Sequence, residues 1–320
     1  MKYTKNFIMK NRIVLFDIMK ALCVIEIVAF WHMFDYTSID ADDVMFGGSL
    51  TSTVLAAFTF TSGFFLGKKK VSVGNFYSAR IQRFMLPLLV SLLIMHAFGV
   101  IDSFLTVVFS AIGLSCFIPP MAPTLWYFSM IILCYILTPL ILWGIDKMDG
   151  MERVVNIVVR GLLIFALISC LGIQPKVQQY FLFYIFGMVV NMDCIKALIS
   201  THAVCKCGGA ILWLLMSYWG INNMLTDFLG VMLLICLSGM IENHSNNQVK
   251  VIFERIAYAS MFAYLFHREF YQITKRLFHL SDGTIPVYGI IITVILIFVL
   301  SYYGQKIYDL MISKIKIAKK

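Results

Sequence analysis

Charged residues are scarce in this chain of 320 residues: only 13% are charged, while 60% are hydrophobic and 15% are aromatic. The mean hydropathy is +0.86. A soluble domain of this length needs far more polar surface, so the scarcity excludes a soluble globular protein and indicates an integral membrane protein. The formal net charge of +9 would suit a nucleic-acid partner. Lys and Arg, however, fall in short clusters between apolar runs, which is the pattern of membrane topology, and a nucleic-acid partner is excluded.

The sequence predicts neither a cleavable leader peptide nor a metal site. The first apolar run, near 13–34, has no small-residue cleavage site after it, so we expect it to stay in the mature protein. The eight cysteines lie mostly within apolar runs, where cysteine acts as a small buried hydrophobe. Cys205 and Cys207 form a C-x-C near His202, but no second pair matches them. No metal site is therefore predicted.

Apolar stretches long enough to cross a bilayer recur along the whole chain. They predict an all-α integral membrane protein in which 1–320 forms a single membrane domain with ten transmembrane helices. The run at 103–118 contains Gly113 and ends at Pro119 and Pro120, so it is assigned to a partly buried loop or an interfacial helix; as a span it would make eleven. The predicted spans lie near 13–34, 44–66, 84–102, 124–144, 153–171, 177–193, 203–220, 224–241, 251–273 and 284–310.

The distribution of basic residues gives the orientation of these spans. Most of the 26 Lys and Arg residues fall on one side of the membrane when both termini lie on that side. Because Lys and Arg accumulate in the cytoplasm, the N- and C-termini are predicted to be cytoplasmic. His32 then lies near the outer end of the first span, before an acidic loop with Asp40, Asp42 and Asp43. The expected location is the cytoplasmic (inner) membrane, as a multi-pass protein.

The first span carries Asp17, Lys20, Glu26 and His32. A charged group at mid-bilayer costs at least about 2.5–3.5 kcal/mol, so ionisable groups kept there are functional candidates. Lys20 lies three residues after Asp17, shares its face and can pair with it. Glu26 lies about 180° from Asp17 around an ideal helix. His32, beside Trp31, has two interpretations: a residue of the aromatic belt at the membrane edge, or a catalytic group.

Arg80 and Arg83 follow the second span, after the lysines at 68–70. Three residues apart on a helix, the arginines point to one side and can hold a phosphate through charge-assisted contacts. Alternatively, these cations anchor the loop to anionic lipid headgroups. Spacing alone leaves both interpretations open.

Several short motifs follow one another in a fixed order. They are 12–20 leading to His32, 60–66, 76–83, 125–128, 184–188 and 258–267. In this order the chain resembles the acyltransferase-3 family, the multi-span membrane O-acyltransferases that modify sugars, over nearly its whole length. Family members usually have a basic residue eleven positions before the catalytic histidine, whereas Lys20 stands twelve before His32. The extra residue changes the angle between them from about 20° to about 120°. Either the helix contains a π-bulge, or Lys20 has another role.

The resemblance implies transfer of an acyl group, most often acetyl from acetyl-CoA, to a saccharide hydroxyl, as in polysaccharide modification of the cell envelope. It implies that His32 is catalytic and that Arg80 and Arg83, with Lys20, bind the acyl-CoA donor. Asp35 is the carboxylate best placed to orient His32, because it lies three residues later. His32 can act as a general base or attack the thioester to form an acyl-histidine, and the sequence does not choose. No appended esterase-like domain is expected.

Five further residues are supporting candidates. His267 matches the late histidine of the family, although a structural role would suit it equally. The expected partners are the acyl-CoA donor, a saccharide or glycolipid acceptor and membrane lipids; no oligomeric state is indicated. A rival interpretation is a transporter or flippase for a lipid-linked sugar, but the spans show no two halves with matching Gly or Pro breaks. The supporting candidates are Asp17, Glu26, Ser62, Trp126 and His267.

Overall fold

The computed structural model describes residues 13–37, 47–68, 72–117, 121–221, 223–278 and 283–318. All regular secondary structure in these ranges is helical, which confirms the all-α class. The acidic loop and the two prolines named above, together with two of the clustered lysines, lie outside the described residues: Asp40, Asp42, Asp43, Lys69, Lys70, Pro119 and Pro120.

Helices follow one another with short connections. The first half contains α1 (Val14–Ile25), a π-helix (Glu26–Trp31), α2 (His32–Phe34), α3 (Gly47–Gly67), α4 (Val73–Ala97), α5 (Phe104–Ala111) and α6 (Trp126–Ile141). The second half contains α7 (Gly150–Cys170), α8 (Pro175–Val189), α9 (Met192–Ile199), α10 (Ala203–Tyr218), α11 (Met224–His244), α12 (Asn247–Leu277) and α13 (Val287–Ala318).

Five of the described helices are long and apolar enough to cross a membrane: α3, α4, α7, α11 and α13. The pair α8 and α9, bent by 100°, adds a sixth if it is one broken span. Each of the ten predicted stretches falls on a helix, but length and composition support five or six crossings. The ten-span topology and the cytoplasmic termini therefore stay predictions. The run at 103–118 holds α5, whose 8 residues are too short to cross a bilayer.

The helices α3 and α8 cross at glycines. A methyl group at Gly63 would lie 2.0 Å from the carbonyl oxygen of Tyr184, and one at Gly187 would lie 2.1 Å from that of Phe60. The missing side chains therefore let the two backbones touch, as small residues do at helix interfaces in membranes. This crossing explains two of the sequence motifs, 60–66 and 184–188, as the two sides of one contact.

We expect Gly187→Ala to lower the free energy of unfolding by about 1–3 kcal/mol, because the new methyl group overpacks the crossing. Thermal unfolding of the purified protein in detergent measures the effect. The matched control is Gly208→Ala on α10, where an added methyl group meets nothing within 4 Å. Equal melting temperatures for Gly187→Ala and Gly208→Ala would contradict the tight crossing.

The helix α12 connects the first helix to the rest of the bundle. It packs against α1 and the π-helix on one side and against α4 and α13 on others, while α1 also packs against α3 and α11. One face of α12 is thereby placed beside the end of the first helix that carries His32.

Candidate active site

The first helix widens into the π-helix Glu26–Trp31 directly before His32. A π-turn takes one residue more than an α-turn, so twelve residues cover the angle that eleven cover in an α-helix. The angle between Lys20 and His32 around the helix axis is therefore about 20°, and the two residues are about 18 Å apart along the axis. Of the two alternatives that the sequence left open, the bulge is the one present. The Lys20 ammonium lies 4.9 Å from the centre of the Phe65 ring.

The imidazole of His32 is buried and meets a carboxylate and a guanidinium. Its Nδ1 lies 3.3 Å from Asp35 Oδ2, and Arg268 Nη2 donates to the same oxygen at 3.0 Å. Arg268 Nη2 also lies 3.1 Å from His32 Nδ1. Partial burial acts to raise the pKa of Asp35, but its hydrogen bond with His32 and the charge of Arg268 outweigh burial and hold the pKa below its ordinary value. Asp35 is thus a carboxylate at neutral pH.

The two tautomers of His32 differ in what Nδ1 does. When Nδ1–H donates to Asp35, the lone pair is on Nε2, and His32 is oriented as the histidine of a catalytic triad is. When Nδ1 accepts from Arg268, the proton is on Nε2. In both cases Nε2 faces the Thr124 hydroxyl, at 3.4 Å.

Thr124 has a strained backbone, with φ at +65°. This left-handed conformation is uncommon for a β-branched residue, and such strain clusters at functional sites. Two contacts hold it: the Tyr264 hydroxyl donates to the Thr124 carbonyl at 2.9 Å, and Arg268 Nε donates to the Thr124 hydroxyl. The Thr124 hydroxyl is thereby fixed between Arg268 and His32.

A second imidazole, that of His267, lies against His32. The ring centres are 4.8 Å apart and the planes are tilted by 34°. His267 Nδ1 lies 2.8 Å from the Tyr264 carbonyl oxygen, which can only accept, so Nδ1 carries the proton. Among the described residues nothing forms a hydrogen bond with its buried Nε2. His267 therefore presents an unused lone pair close to the same site.

The side chains that α12 contributes to this cluster lie on one face of the helix. Tyr264, His267, Arg268 and Tyr271 follow the spacing of a single helix face. The Tyr271 hydroxyl donates to the carbonyl of Val28, inside the π-helix, at 2.9 Å. The same face thus holds the wide turn and surrounds His32.

The other candidates from the sequence lie at varying distances from this cluster. Glu26 is buried in the π-helix and accepts a hydrogen bond from Thr51 at 2.8 Å. Trp126 begins α6, two residues after Thr124, with its ring centre 5.9 Å from that of Tyr180. Asp17 is buried near the start of α1, and Ser62 is half-buried on α3.

Arg80 and Arg83 lie on α4, away from His32. The Arg80 guanidinium stacks 4.8 Å from the centre of the Tyr135 ring, and Arg83 is exposed. The predicted span at 84–102 placed both arginines before the membrane-crossing segment, whereas α4 begins at Val73 and includes them. Arg80 lies eleven residues, about 16 Å, along α4 from Ser91, which contacts α12 next to Arg268.

Comparison with known proteins places the chain in a family. A family model described as an acyltransferase domain, of the acyltransferase-3 type, matches residues 13–304. The chain belongs to the acyltransferase-3 family. Neither a curated protein nor a solved structure matches the chain significantly.

The cluster around His32 lies within residues 13–304, the part of the chain that the family model matches. The resemblance found in the sequence is thereby confirmed at the level of the family. Within the described ranges, no three His, Cys, Asp or Glu side chains are grouped as a metal site requires.

Sequence reasoning missed two residues of the site. Arg268 directly follows His267, and a cation next to a motif histidine was the signal that could have found it. Thr124 gives no such signal, because its role depends on a backbone angle and on contacts with residues 92 and 144 positions away.

Proposed function

We propose that this acyltransferase-3 protein is an O-acyltransferase that moves an acetyl group from acetyl-CoA to a hydroxyl of a lipid-linked or cell-surface saccharide. The observation that carries the proposal is the convergence of His32, Asp35, Arg268 and Thr124. It combines a base, a carboxylate that orients it and a fixed positive charge. A base activates the acceptor hydroxyl, and a fixed positive charge stabilises the oxyanion that forms during acyl transfer.

The proton moves through His32. With Nδ1–H directed to Asp35, Nε2 is free to take the proton of an acceptor hydroxyl as its oxygen attacks the thioester carbonyl. Asp35 stabilises the imidazolium that results. When the tetrahedral intermediate collapses, the C–S bond breaks and the imidazolium returns the proton to the departing thiolate, so that an ester and free CoA result.

An acyl-histidine route uses the same atoms. His32 Nε2 attacks the thioester carbonyl, the C–S bond breaks, and CoA leaves as the thiolate, which takes a proton from solvent, while the ring is left as an acyl-imidazolium with Nδ1–H directed to Asp35. The acceptor hydroxyl then attacks the acyl group, its proton goes to a base that returns it to solvent, and the N–C bond breaks to give the ester and neutral His32. His267 Nε2 has no hydrogen-bond partner among the described residues, and its ring centre lies 4.8 Å from that of His32, so it would serve as the base of that second step.

Arg268 supplies the fixed charge. In either route an oxyanion forms on the thioester carbonyl beside His32, and the positioned guanidinium of Arg268 would stabilise it. The Thr124 hydroxyl, fixed by Arg268 Nε, marks where a substrate oxygen would approach Nε2.

The donor would be held at the opposite end of α4. Arg80 and Arg83 would bind the CoA phosphates there, and the pantetheine arm would pass between helices to His32. Along α4, Arg80 lies about 16 Å and Arg83 about 12 Å from Ser91, which contacts α12 at Glu269, next to Arg268, and these separations support this division. Lys20, on the face of His32 but about 18 Å below it, would line the same path.

We expect Arg80→Ala with Arg83→Ala to weaken CoA binding about 10- to 100-fold, because each charge-assisted contact contributes about 1.5–3 kcal/mol and phosphate contacts are partly replaced by water. Isothermal titration with CoA measures the affinity. The matched control is Arg255→Ala, an exposed cation on α12.

Pantetheine, which lacks the phosphates, separates the two interpretations of these arginines. If they bind phosphate, the double variant and the unchanged protein bind pantetheine equally well. Equal CoA affinity in both proteins would instead favour anchoring to anionic lipid headgroups.

The overall proposal is tested by incubating the purified protein with labelled acetyl-CoA and a panel of saccharide and glycolipid acceptors. Mass spectrometry of cell-surface glycans, with and without the gene, narrows the acceptor. If CoA is released but no glycan fraction carries the label, the protein turns over acetyl-CoA and the saccharide acceptor is refuted.

A further inference from the structure

The hydroxyl of Thr124 is arranged as a nucleophile would be. It lies 3.4 Å from Nε2 of His32, whose Nδ1 lies 3.3 Å from Asp35 Oδ2. A hydroxyl, an imidazole and a carboxylate in this order let the imidazole activate the hydroxyl while the carboxylate orients the imidazole. The two routes described above use His32 and Asp35 in this way, but neither gives the Thr124 hydroxyl a bond to the acyl group.

Arg268 determines where the hydroxyl proton of Thr124 points. Its Nε–H donates to the Thr124 oxygen, and a guanidinium has no atom that can accept a hydrogen bond. Among the described residues, the acceptor left for the Thr124 proton at the site is His32 Nε2, in the tautomer whose Nδ1–H is directed to Asp35. The guanidinium charge also stabilises the negative charge that develops on the Thr124 oxygen as this proton leaves.

The backbone holds this hydroxyl on a strained turn. Thr124 has φ at +65° and lies two residues before Trp126, where α6 begins. A strained turn that leads into a helix is a known way to hold a nucleophilic oxygen toward a substrate. Thr124 is 8% exposed and His32 is 7% exposed. Because the two side chains are in contact and equally accessible, a thioester carbonyl that approaches His32 Nε2 also approaches the Thr124 hydroxyl.

We propose that Thr124 is a catalytic nucleophile, which carries the acyl group as an ester between the acyl-CoA donor and the acceptor hydroxyl. The proposal rests on the proposed function, because it needs the same donor and the same class of acceptor. It adds a third route, in which His32 moves protons in both steps and Thr124 holds the acyl group.

The first step acylates Thr124. His32 Nε2 takes the hydroxyl proton while the Thr124 oxygen attacks the thioester carbonyl. The tetrahedral intermediate collapses, the C–S bond breaks, and the imidazolium returns the proton to the departing thiolate. Free CoA and an acetyl ester on Thr124 result.

The second step transfers the acetyl group. His32 Nε2 takes the proton of the acceptor hydroxyl, whose oxygen attacks the ester carbonyl on Thr124. The bond between the carbonyl carbon and the Thr124 oxygen breaks, and the imidazolium returns the proton to that oxygen. The acceptor leaves as an acetyl ester, and Thr124 and His32 are restored. Because CoA leaves before the acceptor reacts, this route predicts ping-pong kinetics.

Rapid quenching of the unchanged, full-length protein tests the proposal without any substitution. The protein in detergent is mixed with labelled acetyl-CoA in the absence of acceptor, quenched and digested, and fragment mass spectrometry assigns the label to a residue. We expect a burst of CoA stoichiometric with the protein and the label on Thr124. Acceptor added before the quench should remove the label. Ser103, an exposed hydroxyl on the same tryptic peptide, should stay unlabelled.

Substitutions at position 124 distinguish a nucleophile from a hydroxyl that only holds His32. Thr124→Ser keeps the oxygen and loses only a methyl group, so it should keep the label and transfer within about tenfold of normal. Thr124→Ala should lose the label and reduce transfer about 10²–10⁴-fold, with unchanged CoA affinity. The matched control is Thr201→Ala, at an exposed threonine after α9, which should change neither quantity.

Three results would overturn the acyl-threonine while leaving the proposed function in place. They are label at a residue other than 124, normal transfer with no burst of CoA before acceptor is added, and transfer by Thr124→Ala within about threefold of normal. A protein that releases no CoA with or without acceptor would overturn the proposed function, and the acyl-threonine with it.

Discussion

Alanine at position 32 is expected to reduce acetyl transfer by about 10²–10⁴-fold, because His32 carries the proton in one route and the acyl group in the other. The substitution removes the contact of Nδ1 with Asp35 and the contact of Nε2 with Thr124. Thiol release from acetyl-CoA by the purified variant measures the loss.

The matched control for this experiment is His244→Ala, since His244 is an exposed histidine at the end of α11. Its turnover should equal that of the unchanged protein. The variant at position 32 should keep its melting temperature and its CoA affinity, so that the loss is one of chemistry. Undiminished thiol release would refute catalysis by His32.

The unchanged protein serves to distinguish the general-base route from the acyl-histidine route. Rapid quenching with labelled acetyl-CoA, before acceptor is added, traps an acyl-histidine as label on the peptide that contains residue 32. A general base leaves that peptide unlabelled.

Alanine at position 268 is expected to reduce transfer by about 10²–10³-fold, the loss usual for removing one donor to an oxyanion. Arg268 also positions Asp35, His32 and Thr124. Arg268→Lys should recover little activity, because an ammonium cannot make the forked contacts to two partners.

A purely structural role for Arg268 predicts a different result. If the charge of Arg268 acts on the reaction, added guanidinium ion should restore part of the activity of Arg268→Ala. If Arg268 only holds the helix in place, added guanidinium ion should not restore activity. Arg276→Ala is the control on the same helix; Arg276 is exposed and stacks 4.4 Å from the centre of the Phe98 ring. Transfer by Arg268→Ala within threefold of normal would remove Arg268 from the proposed mechanism.

The helical class and the family followed from the sequence because both are written in local patterns. Apolar runs located every predicted stretch on a helix, and motif order identified the family that matches residues 13–304. The twelve-residue interval between Lys20 and His32 also raised the π-bulge as one of two alternatives, because residue spacing and helix pitch together determine the angle between side chains.

Helix ends and crossings were harder to predict. Hydropathy placed the third span at 84–102, but α4 starts at Val73 and continues through the polar residues before Phe84. The long helix α12, at the predicted span 251–273, is not among the candidate spans by length and composition, yet it supplies most of the site.

The remaining parts of the site depend on long-range contacts. Arg268 meets His32 across 236 positions of sequence, and the strained Thr124 is held from α12. No local pattern records which face of α12 would turn toward the first helix. The motifs that contain Gly63 and Gly187 were likewise found in the sequence, but the contact between these two glycines could not be predicted from it.

The π-helix before His32 bears on how such sequences are aligned. It absorbs an inserted residue within six positions, while Tyr271 ties the widened turn to α12 at the Val28 carbonyl. His32 and Lys20 thus keep their relative orientation although the number of residues between them differs by one from the usual interval of the family. A search pattern with a fixed interval of eleven would pass over this chain, and one that allows a single gap between Glu26 and Trp31 would retain it.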